Sequence, residues 1–368
     1  MASRLAPRLL RRGLELFAVI SIAVFVAILF YGNNLEQFVD AMLHLRWQWV
    51  ILGLLVASLD WFGGGLRLYV LLRHVYPKQS LKGAIVSAGI NAFGMMLTPS
   101  QAGGAPFGIF ALKRYGTPVP EAMVATFVSF VATVLFFTVA GPTVIILGAG
   151  DSLAEHGILG VTNLHDLFRL SMAGFIGIGL VILAVMVFPN VARRLARRIV
   201  GRLERRGSAK LAGRVSQLNE GIDRAHEAMV AFFRGRGWLA LAASVLLTAP
   251  TLANKLFAGY IVLQALGIHA PLADVVMLQT LIIFLLYFAP TPGGSGLAEV
   301  LSGAVMSIYV PRELTPSYIL LWRIYVAYLT VGVGSFVFWR WLKDWEGRPD
   351  EAETEPPTNS VAQSPGDH

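Results

Sequence analysis

The residues of this chain that could do chemistry are ionisable and amide side chains set inside long apolar runs. Asp60 and Arg67 lie seven residues apart in one run, hence on one face of a helix, and Gly63-Gly64-Gly65 between them lets another backbone come close. Asn254 and Lys255 sit inside a second run and Arg323 well inside a third, while Asn91 precedes, Gln101 lies within and Glu299 follows breaks rich in proline and glycine. An ionisable group at bilayer depth costs at least a few kcal/mol, so each is a functional candidate. The chemistry on offer is binding: Arg67, Lys255 and Arg323 would attract an anion, and Glu299 and Arg323 would neutralise each other as a buried pair. The same charges could instead only hold helices together. Asp60 could be a packing contact, and Arg67 could extend along its aliphatic stem to the cytoplasmic surface.

Bond-making chemistry has little to work with. Cysteine is absent, which removes disulfides, thiolate metal sites and thiol nucleophiles, and the seven histidines are scattered from His44 to His368. Neither G-x-x-x-x-G-K-[ST] nor H-E-x-x-H occurs. No cofactor, metal or catalytic activity is expected, and any transport would run downhill or be coupled to an ion gradient or another protein.

The elements that carry these residues are membrane spans. Of 368 residues, 55% are hydrophobic and 14% charged, against roughly 25% charged in a soluble domain. Crossing the hydrocarbon takes about 20 mostly apolar residues. Such stretches run over about 14–31, 47–72, 118–147, 170–188, 238–266 and 316–342, the fifth interrupted by Pro250. The first is longer than a signal-peptide core and lacks a small-x-small cleavage site, so it reads as a retained helix. Trp47, Trp49, Trp238, Trp339 and Trp341 fall near predicted ends, as interfacial aromatics do.

Two further stretches, 83–113 and 273–309, are split by Thr98-Pro99-Ser100-Gln101-Ala102-Gly103-Gly104-Ala105-Pro106 and by Ala289-Pro290-Thr291-Pro292-Gly293-Gly294-Ser295-Gly296. The apolar arm before each break is marginal for a span. Irregular backbone at membrane depth needs protein or water around it, so each stretch reads as a re-entrant hairpin. The alternative is a plain loop between short complete spans.

The formal net charge of +8 resides in segments 4–12, 67–82, 113–114, 193–236 and 340–348, between apolar runs. That is the pattern of cytoplasmic loops against anionic headgroups and argues against nucleic acid as a partner. Placing every basic segment inside gives six crossings, two oppositely directed hairpins and cytoplasmic termini. Long helix, broken hairpin, long helix then occurs twice, over about 47–149 and 238–342. This is an inverted repeat with interrupted segments, the arrangement of a transporter with a midplane site. The fold class is therefore an all-α integral membrane protein, one polytopic domain over 1–345. Residues 190–236 combine a dense arginine run with an apolar stripe from Leu211 to Phe232, an amphipathic helix against anionic lipid or a solvated linker. Residues 346–368 are acidic and rich in Pro, Ser and Thr, a disordered tail.

The chain resembles the flippase-like family named after the transmembrane region of lysylphosphatidylglycerol synthase. The resemblance rests on Gly65-Leu66-Arg67, on Asn91 followed by the Thr98–Gly104 string, on Pro290-Thr291-Pro292-Gly293-Gly294-Ser295-Gly296-Leu297-Ala298-Glu299, and on Arg323-Ile324-Tyr325. It implies a bacterial or archaeal inner-membrane protein whose domain moves a modified phospholipid across the bilayer. In the bifunctional members a separate soluble domain attaches the amino acid. Here only the short acidic tail follows residue 342, so lipid aminoacylation is not expected and the cargo is open. Gln101 stands where members often carry a basic residue, which bears on headgroup preference.

The expected headgroup path runs through Arg67, Asn91, Pro99, Gln101, Gly103, Gly104, Lys255, Pro292, Gly293, Gly294, Gly296, Glu299 and Arg323. A helix N-terminus after each break would add its own attraction for an anion. The leading expectation is a translocase for a membrane phospholipid. The alternatives are a transporter of a polyisoprenyl-linked or other glycolipid intermediate, and a non-transporting scaffold for a lipid-modifying enzyme partner. Oligomeric state is open.

Overall fold

The computed structural model describes residues 2–31, 35–146 and 237–346, with 157–158, 162–163, 173–174, 176–177, 180 and 232 between them. The expected fourth crossing at 170–188 falls almost wholly outside the described residues. So do the basic amphipathic segment at 190–236 and the tail beyond 346.

The chain is an all-α integral membrane protein. Five helices are long and apolar enough to cross a bilayer among the described residues: Arg11–Phe30, Trp47–Val75, Val119–Ala140, Gly237–Ala265 and Arg312–Trp341. In chain order the helices are α1 (Ala2–Tyr31), α2 (Leu35–Leu43), α3 (Trp47–Val75), α4 (Leu81–Leu97), α5 (Gly104–Arg114), α6 (Val119–Ile146), α7 (Gly237–Leu246), α8 (Thr248–Ala265), α9 (Leu272–Leu286), α10 (Leu297–Met306), α11 (Thr315–Arg323) and α12 (Leu329–Glu346). Gly157–Ile158 and Thr162–Asn163 pair as a minimal antiparallel ribbon. Helix α2, without a buried residue, had no counterpart in the hydropathy pattern, which registers long apolar runs only.

Proline and local carbonyl chemistry divide two of the spans. Pro250 lies in the first turn of α8, where a missing N–H costs little, and the rod from Gly237 breaks just before it at Leu247. Between α11 and α12, residues Ile324–Tyr328 form one π turn, which loosens the carbonyl ladder. Asn254 on α8 uses that turn, donating through Nδ2 to Tyr325 O at 2.8 Å.

The two broken stretches fold as helix, tight turn, helix: α4 with α5, and α9 with α10. At 17 and 15 residues, α4 and α9 are about 25 Å or less, short of the roughly 30 Å hydrocarbon. Their turns are built alike. Thr98 and Thr291 are extended, as residues before proline are. Pro99 and Pro292 open a single 3₁₀ turn, and the next two residues are left-handed: Ser100 at φ 51° and Gln101 at φ 56°, Gly293 at φ 56° and Gly294 at φ 65°. Each threonine hydroxyl then closes its turn, Thr98 Oγ1 accepting from Gly103 N at 2.7 Å and Thr291 Oγ1 donating to Ser295 O at 2.8 Å. The turns meet inside the molecule, where Ser100 N donates to Ala289 O at 2.8 Å.

Packing around this junction is close. Helices α3 and α8 run against one another, with Gly63 facing the backbone of Pro250 and Thr251. Gly65 lies so near Ile85 that a Cβ there would overlap that residue's backbone, which is why α3 and α4 pack tightly. The largest buried apolar cluster joins α8, α9, α10 and α11, with Tyr318, Trp322 and Tyr325 at its centre. Within it Gln279 satisfies two aromatic polar groups, donating to Tyr318 Oη at 3.1 Å and accepting from Trp322 Nε1 at 2.8 Å.

Candidate headgroup cavity

A cavity of about 440 Å³ lies between α3, α4, the first turn, α5, α6, α8 and the end of α9. Its charged wall residues are Asp60, Arg67 and Lys255. The helix-face expectation for Asp60 and Arg67 holds, since both point into this one space.

Arg67 is 5% exposed and does not extend to the surface. Its guanidinium donates to Ser129 O, to Thr133 Oγ1 at 2.7 Å and to Ser244 Oγ at 3.3 Å, which ties α3 to α6 and α7. All three acceptors are neutral, and no carboxylate lies at ion-pair distance among the described residues. A buried cation held only by neutral dipoles keeps its full charge available to an anion in the cavity. Lys255 is half-buried and likewise forms no ion pair among the described residues. Asp60, 8% exposed, accepts from Asn254 Nδ2 at 2.9 Å across the α3–α8 seam and lies within the field of Lys255. The wall thus carries two cations against one carboxylate.

Neutral polar groups complete the lining. Asn91 packs its amide against Gly104 and Gly108 of α5, positions where a larger residue would displace it. Ser87 is fully buried and its Oγ has no hydrogen-bond partner, nor has the buried Oε1 of Gln101. The apolar wall includes Leu68, Phe130, Phe284 and Phe288, of which Phe130 and Phe288 are exposed.

Of the residues expected along the path, Arg67, Asn91, Gln101, Gly104 and Lys255 line the cavity. Pro99 and Gly103 belong to the same turn but shape it from behind the wall. Pro292, Gly293, Gly294 and Gly296 are not on the wall. Gly293 lies against Met96 O and the Phe17 ring, and Gly296 against Ile20, so the second turn is sealed by α1. Glu299 and Arg323 form the expected pair, Nε to Oε1 at 2.9 Å, with 0% and 2% side-chain exposure. Arg323 further donates to Ser21 Oγ at 3.0 Å and Gly293 O at 3.4 Å.

The expected anion attraction at the second break does not survive this geometry. Glu299 Oε2 accepts from Gly296 N at 2.8 Å, so the start of α10 is already capped by its own carboxylate. Only the first break opens its following helix, at Gly104 and Ala105, to the cavity. Sequence reasoning also missed Ser87, Thr126, Ser129 and Thr133. Thr126, Ser129 and Thr133 recur at helical spacing along one face of α6, a signal that marks this wall.

Fold and cavity together define a class: a multi-pass, all-α membrane protein with paired broken hairpins and a cationic cavity within its helices. Residues 16–334 match the model of the lysylphosphatidylglycerol synthase TM region, and the chain belongs to that family. It is also similar to a UPF0104 membrane protein from Archaeoglobus fulgidus, 23% identical over 324 residues that cover 86% of this chain and 93% of the relative.

Proposed function

We propose that the chain is a flippase-like lipid translocase of the bacterial inner membrane, with both termini cytoplasmic and no ATPase of its own. The observation that carries this reading is the buried Arg67 guanidinium, held among the described residues by neutral acceptors only and facing a cavity it shares with Lys255. An anionic headgroup would supply the missing counter-charge, and the apolar rings beside it suit acyl chains. The two broken hairpins, too short to cross and meeting turn to turn, support an inverted repeat of oppositely directed re-entrant elements. On this reading the headgroup path is the first-hairpin side of the seam. Glu299 and Arg323 anchor the other hairpin rather than touch cargo.

The test is reconstitution of the purified full chain into liposomes with fluorescent anionic phospholipid, read by quencher accessibility. The parent moves lipid faster than empty vesicles, and Arg67→Met and Lys255→Met each lower the rate at least about tenfold, the equivalent of about 1.4 kcal/mol of lost headgroup stabilisation. Parental vesicles no faster than empty ones overturn the reading. So does a folded Lys255→Met protein with an unchanged rate.

A further inference from the structure

The two turns share one backbone, yet they differ in what stands at the left-handed positions. Gly293 and Gly294 occupy them in the second turn, which is not part of the cavity wall. Ser100 and Gln101 occupy them in the first, at φ 51° and 56°, and both line the cavity. A side chain in that conformation costs about 1–2 kcal/mol, and glycine would avoid it. Strain kept at the one turn that faces a cavity points to a use for the side chains there.

What they offer can be stated atom by atom. Gln101 Oε1 is buried without a donor. Ser87 Oγ, on a residue of 0% exposure across the same cavity, is buried without a partner of either kind. Leaving each unsatisfied costs about 1–3 kcal/mol. A carbonyl oxygen can be satisfied only by a donor, so the occupant brings O–H or N–H groups. The charge on the wall decides between them. With Asp60 ionised, as its hydrogen bond from Asn254 and the charge of Lys255 favour, Arg67 and Lys255 leave one positive charge in excess. A buried net charge is costly, so the favoured occupant carries one negative charge. A zwitterionic headgroup would leave the excess uncompensated. An aminoacylated headgroup would bring further cations against Arg67 and Lys255. A phosphate monoester, at roughly −1.5 to −2, would overshoot. The volume, about 440 Å³, lies at the headgroup end of the roughly 300–1,000 Å³ range of ligand sites.

We infer that the cavity takes a monoanionic lipid phosphodiester joined to an uncharged polyol, with Arg67 and Lys255 meeting the phosphate charge and Gln101 and Ser87 meeting hydroxyls. The inference rests on the translocase reading in one respect, that the occupant is a lipid. Two sources share this chemistry: a glycerophospholipid with a glycerol or inositol headgroup, and a polyisoprenyl-phosphoryl sugar.

Native mass spectrometry of the purified full chain tests it. The protein is titrated with phosphatidylglycerol, polyprenyl-phosphoryl-hexose, phosphatidylcholine and lysyl-phosphatidylglycerol. At least one of the first two is retained about tenfold over both of the others, and whichever it is names the source. Gln101→Gly, which removes the amide and the backbone strain together, and Ser87→Ala each reduce that preference to about fourfold or less, as loss of one hydrogen bond of about 0.5–1.5 kcal/mol requires. Equal retention of phosphatidylcholine, stronger retention of the lysyl lipid, or an unchanged preference in folded Gln101→Gly protein overturns the inference. The liposome assay separates this from the broader reading. Headgroup preference without lipid movement sinks the translocase and leaves the site, whereas movement of all four classes at one rate sinks the site and leaves the translocase.

Discussion

Glu299 offers the sharpest test of how this fold is held. Its carboxylate is fully buried and does two jobs, accepting from Arg323 Nε at 2.9 Å and from Gly296 N at 2.8 Å. Glu299→Gln keeps only one acceptor oxygen for the two donors and removes the charge opposite the Arg323 guanidinium, 2% exposed, whose other hydrogen-bond partners are Ser21 Oγ and Gly293 O. Removing one member of a buried pair costs about 3–5 kcal/mol. Arg323→Met strands the carboxylate instead and falls in the same range. Glu299→Ala adds the loss of the α10 cap, about 1 kcal/mol more. The double variant Glu299→Gln/Arg323→Met leaves no charge behind, so its loss is about 1–2 kcal/mol, less than either single. The coupling is therefore about 3 kcal/mol or more. Unfolding in mixed micelles, followed by tryptophan fluorescence with buried Trp322 beside the pair, measures all four proteins. Singles that each cost under about 1 kcal/mol, or a double equal to their sum, would refute mutual neutralisation as the basis of this contact.

Four further substitutions probe the same scaffold by the same unfolding measurement. Gly293→Ala puts a Cβ 2.8 Å from Met96 O at a φ of 56° and costs at least about 2 kcal/mol, whereas Ser100→Gly, at the equivalent position of the first turn, stays within about 0.5 kcal/mol of the parent because relief of strain offsets the entropy glycine loses. Equal losses for the two would contradict the shared backbone. Gly65→Ala forces α3 away from the Ile85 backbone and costs about 1–3 kcal/mol; full stability there would mean that α3 and α4 are not in close contact. Gln279→Leu preserves volume but leaves Tyr318 Oη and Trp322 Nε1 buried without it, for a loss of about 2 kcal/mol or more, and near-parental stability would deny the network a role.

The spans were legible because apolar length is a one-dimensional property. The run expected over 47–72 is helix α3, Trp47–Val75, and those over 118–147 and 238–266 are α6 and the α7–α8 rod. The two breaks were legible from proline and glycine, and the Glu299–Arg323 pair from the cost of leaving either alone. Partnerships across the chain were not. Asp60 finds Asn254 across 194 residues, and Arg67 finds Thr133 across 66, through neutral groups that hydropathy passes over. Serine and threonine are quiet in such a sequence because they can bond their own helix, as Thr133 Oγ1 does to Ser129 O at 3.1 Å. Arg67 itself was legible, but the neutral groups that hold it emerged only when α3, α6 and α7 were brought together.

The same limit explains why the second break looked like half of the binding site. Thr98-Pro99 and Thr291-Pro292 set like turns as far as the left-handed pair, and the backbones part only at the next residue, helical at Ala102 and extended at Ser295. Three local facts separate them. The second turn is glycine at both left-handed positions, so nothing projects from it. It is covered by Phe17 and Ile20 of α1. The helix after it begins on a carboxylate that Arg323 already neutralises, so its N-terminus has no attraction left for an anion. The first turn inverts each of these, with side chains at the strained positions, open space beyond them, and a cation across that space whose partners among the described residues are all neutral. A repeated hairpin has thus been divided by chemistry into an anchor and a binding face. Their one backbone link, Ser100 N to Ala289 O, fixes the position of the binding face relative to the anchor.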